Sequence, residues 1–145
     1  MEDNNNPDLL SGQIQRFIPF DELSIEAIGE ISTHFRSYQV APRSILFKRG
    51  VHDDECHFLL DGEIDLTDDQ FRVTTICGDD DENFLALDSS HPIHRATAIS
   101  KTPCQLIAIR RQLLELITTW SELRQSYEMD ESESDWLETL LTSEL

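Results

Sequence analysis

Apolar residues along this chain change their spacing twice, and the changes mark out its elements. Leu23, Ile25, Ile28, Ile31 and Phe35 recur at near-helical intervals, with Ser24 placed as an N-cap and Glu26 in the first turn, which predicts an amphipathic helix. Before it, residues 8–18 read as a short helix that ends ahead of Pro19, because the residue preceding a proline is pushed out of helical geometry. From Arg36 onward the texture becomes short runs of Val, Ile, Phe, Thr and Tyr, at 37–40, 44–47, 57–60, 63–67, 71–77, 95–100 and 105–109. Short strands at close intervals, punctuated by Pro, Gly and Asp, predict a sandwich or barrel. Asp61-Gly62 predicts a hairpin between two of them, since both residues tolerate positive φ, and Asp68-Asp69 predicts the next.

Helical spacing returns over 110–127, where Leu113, Leu114, Leu116, Ile117, Trp120 and Leu123 form an apolar stripe suited to docking on a β core. Residues 128–135 are acidic and Ser-containing, as a linker would be, and 135–141 begin another amphipathic segment. The expected organisation is a leader with a short helix at 1–18 and one domain at 19–127. The tail, 128–145, reads as an acidic linker followed by the start of a further helix or of a truncated second domain.

Charge narrows the partners. Eleven Lys and Arg against 29 Asp and Glu leave a net charge of -18, which repels nucleic-acid phosphates and anionic lipid surfaces alike. Direct nucleic-acid or membrane binding is therefore not expected. The acidity reads first as a solubilising surface, with a basic partner such as a covalently linked domain as the sharper alternative. Another protein or a covalently attached effector domain is the expected partner. Cys56, Cys77 and Cys104 are odd in number and lack zinc or redox spacing, so buried free thiols are expected. The first residues carry no basic region followed by an apolar stretch, and the expected location is cytoplasmic.

Several stretches carry a resemblance. Pro42-Arg43-Ser44-Ile45-Leu46-Phe47-Lys48-Arg49-Gly50 is an apolar strand running into a turn glycine. In His57-Phe58-Leu59-Leu60-Asp61-Gly62-Glu63-Ile64-Asp65-Leu66, an aromatic and aliphatics precede a Gly-Glu turn and alternating apolar residues. Residues 96–109, with Lys101-Thr102-Pro103-Cys104, and then Leu113-Leu114-Glu115-Leu116-Ile117 follow in order. In this order the stretches resemble the cyclic-nucleotide-binding domains, the catabolite-activator-like regulatory family. The resemblance implies a mainly β fold with flanking α-helices, a double-stranded β-helix or jelly-roll barrel. A homodimer through the closing helix is also within the family's habits.

The same resemblance implies a phosphate-binding cassette, in which Gly and Glu precede small or aliphatic residues and a later Arg grips the ligand phosphate bidentately. Here the cassette aligns on Asn83, Phe84, Leu85, Ala86 and Leu87, then His94, Arg95, Ala96 and Thr97. Asn83 stands where Gly is expected and Phe84 where the ribose-binding Glu is expected. His94 falls at the arginine position, and Arg95, one residue on, is expected to face away because side chains alternate along a strand. Phe84 is expected to fill the vacated pocket as core, with stacking on a flat ligand as the alternative. Asp79, Asp80, Asp81 and Glu82 lie just upstream, without the spacing of a calcium loop. His52, Asp53, Asp54, Glu55 and His57 read as an exposed turn.

No catalytic constellation is present in the sequence, so no enzyme activity, no metal and no resident cofactor are expected. The expected function is a regulatory module of cyclic-nucleotide-binding type that does not hold cyclic AMP or cyclic GMP tightly, a sensor or interaction domain in bacterial-type signalling. The alternative is a true sensor of a cyclic mono- or dinucleotide, or a related small molecule, that controls an attached effector domain.

Overall fold

The computed structural model describes residues 12–127, with side chains for 12–88 and 91–120. Two compact units emerge, one made of residues 12–35 together with 112–127, the other of Arg36–Arg111. In the first, helix α1 (Ile25–Ser32) is capped as expected, the Ala27 N–H donating to Ser24 Oγ at 3.1 Å. Ala27, Ile28 and Ile31 are buried, whereas Ile25 is 73% exposed. The helix stops at Ser32 rather than Phe35. The Ser32 and Thr33 hydroxyls donate to the Gly29 and Glu30 carbonyls and compete with the backbone ladder. Phe35, freed from the helix, meets Phe20 edge-on at 5.4 Å. Of the 8–18 helix, residues 12–14 are helical, and the earlier part lies outside the described residues, as does the 135–141 segment. Helix α2 (Arg111–Tyr127) buries Leu113, Leu114 and Ile117, one face of the predicted stripe.

The second unit holds seven strands: β1 (Arg36–Val40), β2 (Ile45–Phe47), β3 (Glu55–Asp61), β4 (Glu63–Thr67), β5 (Val73–Cys77), β6 (Thr97–Ser100) and β7 (Cys104–Arg110). They form two antiparallel sheets, ordered β1-β7-β3 and β2-β6-β4-β5. The architecture is the mainly β, jelly-roll type expected, but the sheets do not close into a barrel. Between them lies a core of Phe47, Leu59, Ile64, Leu87, Ala98, Cys104 and Leu106. All three cysteines are free, Cys56 and Cys104 being buried.

One expected hairpin forms and one does not. β4 and β5 pair in unbroken register around the 68–72 tip. There, Asp68 accepts the Gln70 and Arg72 N–H groups and the Arg72 guanidinium. Asp61-Gly62, by contrast, joins β3 of one sheet to β4 of the other. It is a corner, and the glycine is needed there for two reasons. Gly62 has φ +101, and a Cβ would lie 2.5 Å from the Pro103 carbonyl oxygen and 2.7 Å from Cys104 Sγ. Gly62→Ala is expected to cost about 2–4 kcal/mol, from left-handed strain plus overpacking, read as a lower urea midpoint at unchanged slope.

Candidate functional site

A buried polar cluster organises one end of the β unit. His94, 3% exposed, stacks on Phe47 with ring centroids 3.6 Å apart and planes at 10°. Its Nε2 lies 2.8 Å from Asp53 Oδ2 and its Nδ1 3.0 Å from Asp88 Oδ2. Both ring nitrogens of His94 thus face carboxylate oxygens, with the ring lying flat on Phe47. Asp53 Oδ2 also receives His57 Nε2 at 2.9 Å, and His57 Nδ1 accepts from the Tyr38 hydroxyl at 2.7 Å. The Glu55 N–H donates to Asp53 Oδ1, and the Arg95 N–H to Asp88 Oδ2.

The ionisation states follow. Burial alone would raise the Asp53 carboxyl, but the hydrogen bonds from His94, the Glu55 amide and His57 together hold it below the ordinary carboxylate value. Burial lowers His57 despite its bond to Asp53, keeping that ring neutral, and raises the Tyr38 phenol, keeping it a donor. Asp53 and His57 are thus not the exposed turn expected, because the chain folds them inward onto His94 and Tyr38. His52 and Asp54 do remain exposed. Among the described residues, no three His, Cys, Asp or Glu side chains are grouped to hold a metal ion.

Beside this cluster, a cleft of about 480 Å³ opens between the β4–β5 face and the loop 80–88. Leu66, Ile76, Leu85, Ala86, Leu87 and Ala96 supply its apolar lining. The charged lining is one-sided: Asp68, Asp80, Glu82 and Asp88 against Arg72, whose Nε is held by Asp68 Oδ2 at 2.9 Å. The amide of Arg72 first, then that of Gln70 and the guanidinium, keep the Asp68 carboxyl below its ordinary range.

No family model matches the sequence, and no match was found among curated proteins. Solved structures do match. The regulatory domain of Toxoplasma gondii PKA with cAMP superposes with a TM-score of 0.62 at 12% identity over 85% of this chain and 50% of that one. The sensor domain of the transcriptional regulator DNR from Pseudomonas aeruginosa gives 0.59 at 17% identity over 92% and 90%. A cyclic nucleotide-binding-like protein from Brucella abortus gives 0.60 at 16% over 76% and 97%. The chain has the cyclic-nucleotide-binding fold. It spans about half the length of the Toxoplasma kinase structure. Among the described residues, no helix is long and apolar enough to cross a membrane.

Within this fold the cassette positions are used unevenly. Leu85, Ala86, Leu87 and Ala96 line the cleft. Asn83 lines it too, but its side-chain amide is spent inward, donating to the Leu59 and Gly78 carbonyls at 2.8 and 3.2 Å. Phe84 is 40% exposed and does not line the cleft, so it is not the core filler expected. The apolar demand of the loop is met instead by Ala86 and Leu87, 8% and 4% exposed, and Leu87 belongs to the core. His94 is buried and Arg95 exposed, but both lie in the segment just before β6 rather than in a strand, and neither lines the cleft. Arg95 is exposed, with Nη1 3.4 Å from His91 Nε2, and the Thr97 hydroxyl accepts from the Arg49 N–H. The β4 and β5 contributions to the cleft, from Leu66 to Cys77, were not singled out from the sequence, where alternating Thr and Ile mark only a strand.

Asp53→Ala leaves two buried imidazoles without their acceptor and is expected to cost about 2–4 kcal/mol in chemical denaturation. His57 has a folded-state pKa below its unfolded value near 6.5. Its stabilising contribution is therefore present above about pH 6.5 and is lost as pH falls through the lower folded value. Asp53, also lowered, adds a loss of the same sign below about pH 4. The melting temperature is expected to decline between pH 7 and 5, with a shallower slope in His57→Gln.

Proposed function

We propose that this chain is a non-enzymatic regulatory module, built over 19–127, that has kept the cyclic-nucleotide-binding fold but does not grip a cyclic nucleotide phosphate. The observation that carries the reading is His94. At the position where the family resemblance implies a phosphate-binding Arg, this ring is buried, and both its nitrogens are committed to Asp53 and Asp88. A phosphate would compete with two carboxylates already in place and would meet the further carboxylates of Asp80 and Glu82 in the cleft. Arg95 points to solvent, and Arg72 is paired with Asp68. The Glu expected to hold the ribose is replaced by the outward Phe84.

The cleft itself supports a second reading, a sensor of another small molecule coupled to an attached effector. Its apolar floor of Leu66, Ile76, Leu85 and Leu87 and its volume fall within the range of small-molecule pockets. Effector control would require the ligand to bind two states of the module unequally. Either way the cleft favours a neutral or cationic compound over an anionic one.

Titration calorimetry with cyclic AMP, cyclic GMP and a cyclic dinucleotide is expected to show no binding heat at millimolar ligand. Thermal melts in the same ligands are expected to be unshifted, because only a ligand held near or above its dissociation constant stabilises the folded state appreciably. A micromolar dissociation constant for any of the three would overturn the reading and establish the nucleotide-sensor alternative.

A further inference from the structure

The β4–β5 hairpin leaves one strand edge open. β5 lies at the end of its sheet and pairs with β4 alone. The Asp68 N–H donates to the Arg72 carbonyl and the Gly78 N–H to the Gly62 carbonyl, which fixes the hydrogen-bonded pairs at even positions of the ladder. Val73, Thr75 and Cys77 are therefore the residues whose N–H groups point away from β4. The short Thr75 Oγ1 to Asp65 Oδ1 bond of 2.6 Å fits this phase, since side chains approach most closely across non-hydrogen-bonded pairs. Among the described residues, the one backbone bond made at this edge is from the Asp80 N–H to the Cys77 carbonyl.

Sheet edges are ordinarily blunted by shortness, a bulge, a Pro or a Lys. The opposite edge of the same sheet follows that rule: β2 has three residues and a register shift between Ile45 and Phe47. β5 has none of these devices. It runs five residues, Val-Thr-Thr-Ile-Cys, in unbroken register, and Val73, Thr74 and Thr75 are all exposed. At its start Phe71 stands 81% exposed at φ +63, a backbone conformation costly for an aromatic residue.

Charge selects the occupant. From Glu63 to Glu82 the chain carries eight carboxylates and one cation, Arg72, which Asp68 already holds. A second copy of this chain would bring the same eight carboxylates against these, so pairing β5 with β5 is disfavoured. A basic strand meets no such cost. We infer that the β5 edge is a docking surface for an extended, lysine- or arginine-rich apolar segment of another protein, which adds as a fifth strand beside Val73, Thr75 and Cys77 and seats an apolar side chain on Phe71. This mode takes its affinity from main-chain bonds and its selectivity from side chains at alternate positions. It does not depend on whether the adjoining cleft holds a ligand.

The test is an amide NMR titration with a short synthetic peptide alternating lysine and valine. Val73, Thr75 and Cys77 amides should shift and gain protection from exchange. The same peptide N-methylated at alternate residues keeps its charge but loses ladder bonds, and should bind at least about tenfold more weakly. Thr75→Pro, which removes an outward donor at an edge position where proline is tolerated, should weaken binding equally with an unchanged circular dichroism spectrum. The N-methylated peptide decides the matter should that variant not fold. Absence of binding at millimolar peptide would overturn the inference. So would equal affinity for the N-methylated peptide with shifts confined to 79–82, which is attraction by charge alone, and so would β5-dependent self-association in sedimentation.

Discussion

A histidine held between two aspartates is the constraint on which this β unit turns. Asp53 comes from the turn before β3, Asp88 from the short turn Leu87–Ser90, and His94 from the approach to β6, above the Phe47 ring of β2. The backbone follows the side chains. The Gly50 N–H donates to the His94 carbonyl, the His94 N–H to the Val51 carbonyl and the Asp53 N–H to the Pro92 carbonyl. Such a cluster is stable only when complete, because one missing partner strands a buried charge at a cost larger than the bond itself contributes. Here every nitrogen of His57 and His94 has its acceptor or donor, and Tyr38 closes the chain.

That completeness separates architecture from ligand chemistry. The same fold in the Toxoplasma kinase regulatory domain is found with cAMP. In this chain the histidine aligned with the implied phosphate grip serves the interior, and the neighbouring cleft presents carboxylates to whatever enters it. The hairpin that forms one wall of the cleft also offers an unprotected strand edge.

Local signals in the sequence placed the strands, whereas only 12–14 of the 8–18 helix is helical among the described residues and α1 stops at Ser32. Ser24 capped its helix, the β4 run was predicted to the residue, and Asp68-Asp69 closed its hairpin. Sheet assignment is a non-local property, which is why Asp61-Gly62, a turn by composition, proves to be a corner between sheets. The polar cluster was illegible for the same reason: Asp53 and His94 lie 41 residues apart and meet only once both sheets have formed. Phe84 misled because an aromatic in an apolar loop suggests core, while the smaller Ala86 and Leu87 fit the space.

The central claim, that His94 is consumed by internal contacts, is most directly tested by nitrogen-resolved NMR of its imidazole with and without millimolar cyclic AMP. The account predicts a ring in slow exchange with water whose nitrogen signals the nucleotide leaves unmoved. A ring that exchanges freely, or whose nitrogens shift as cyclic AMP is added, would show His94 facing a ligand and contradict it.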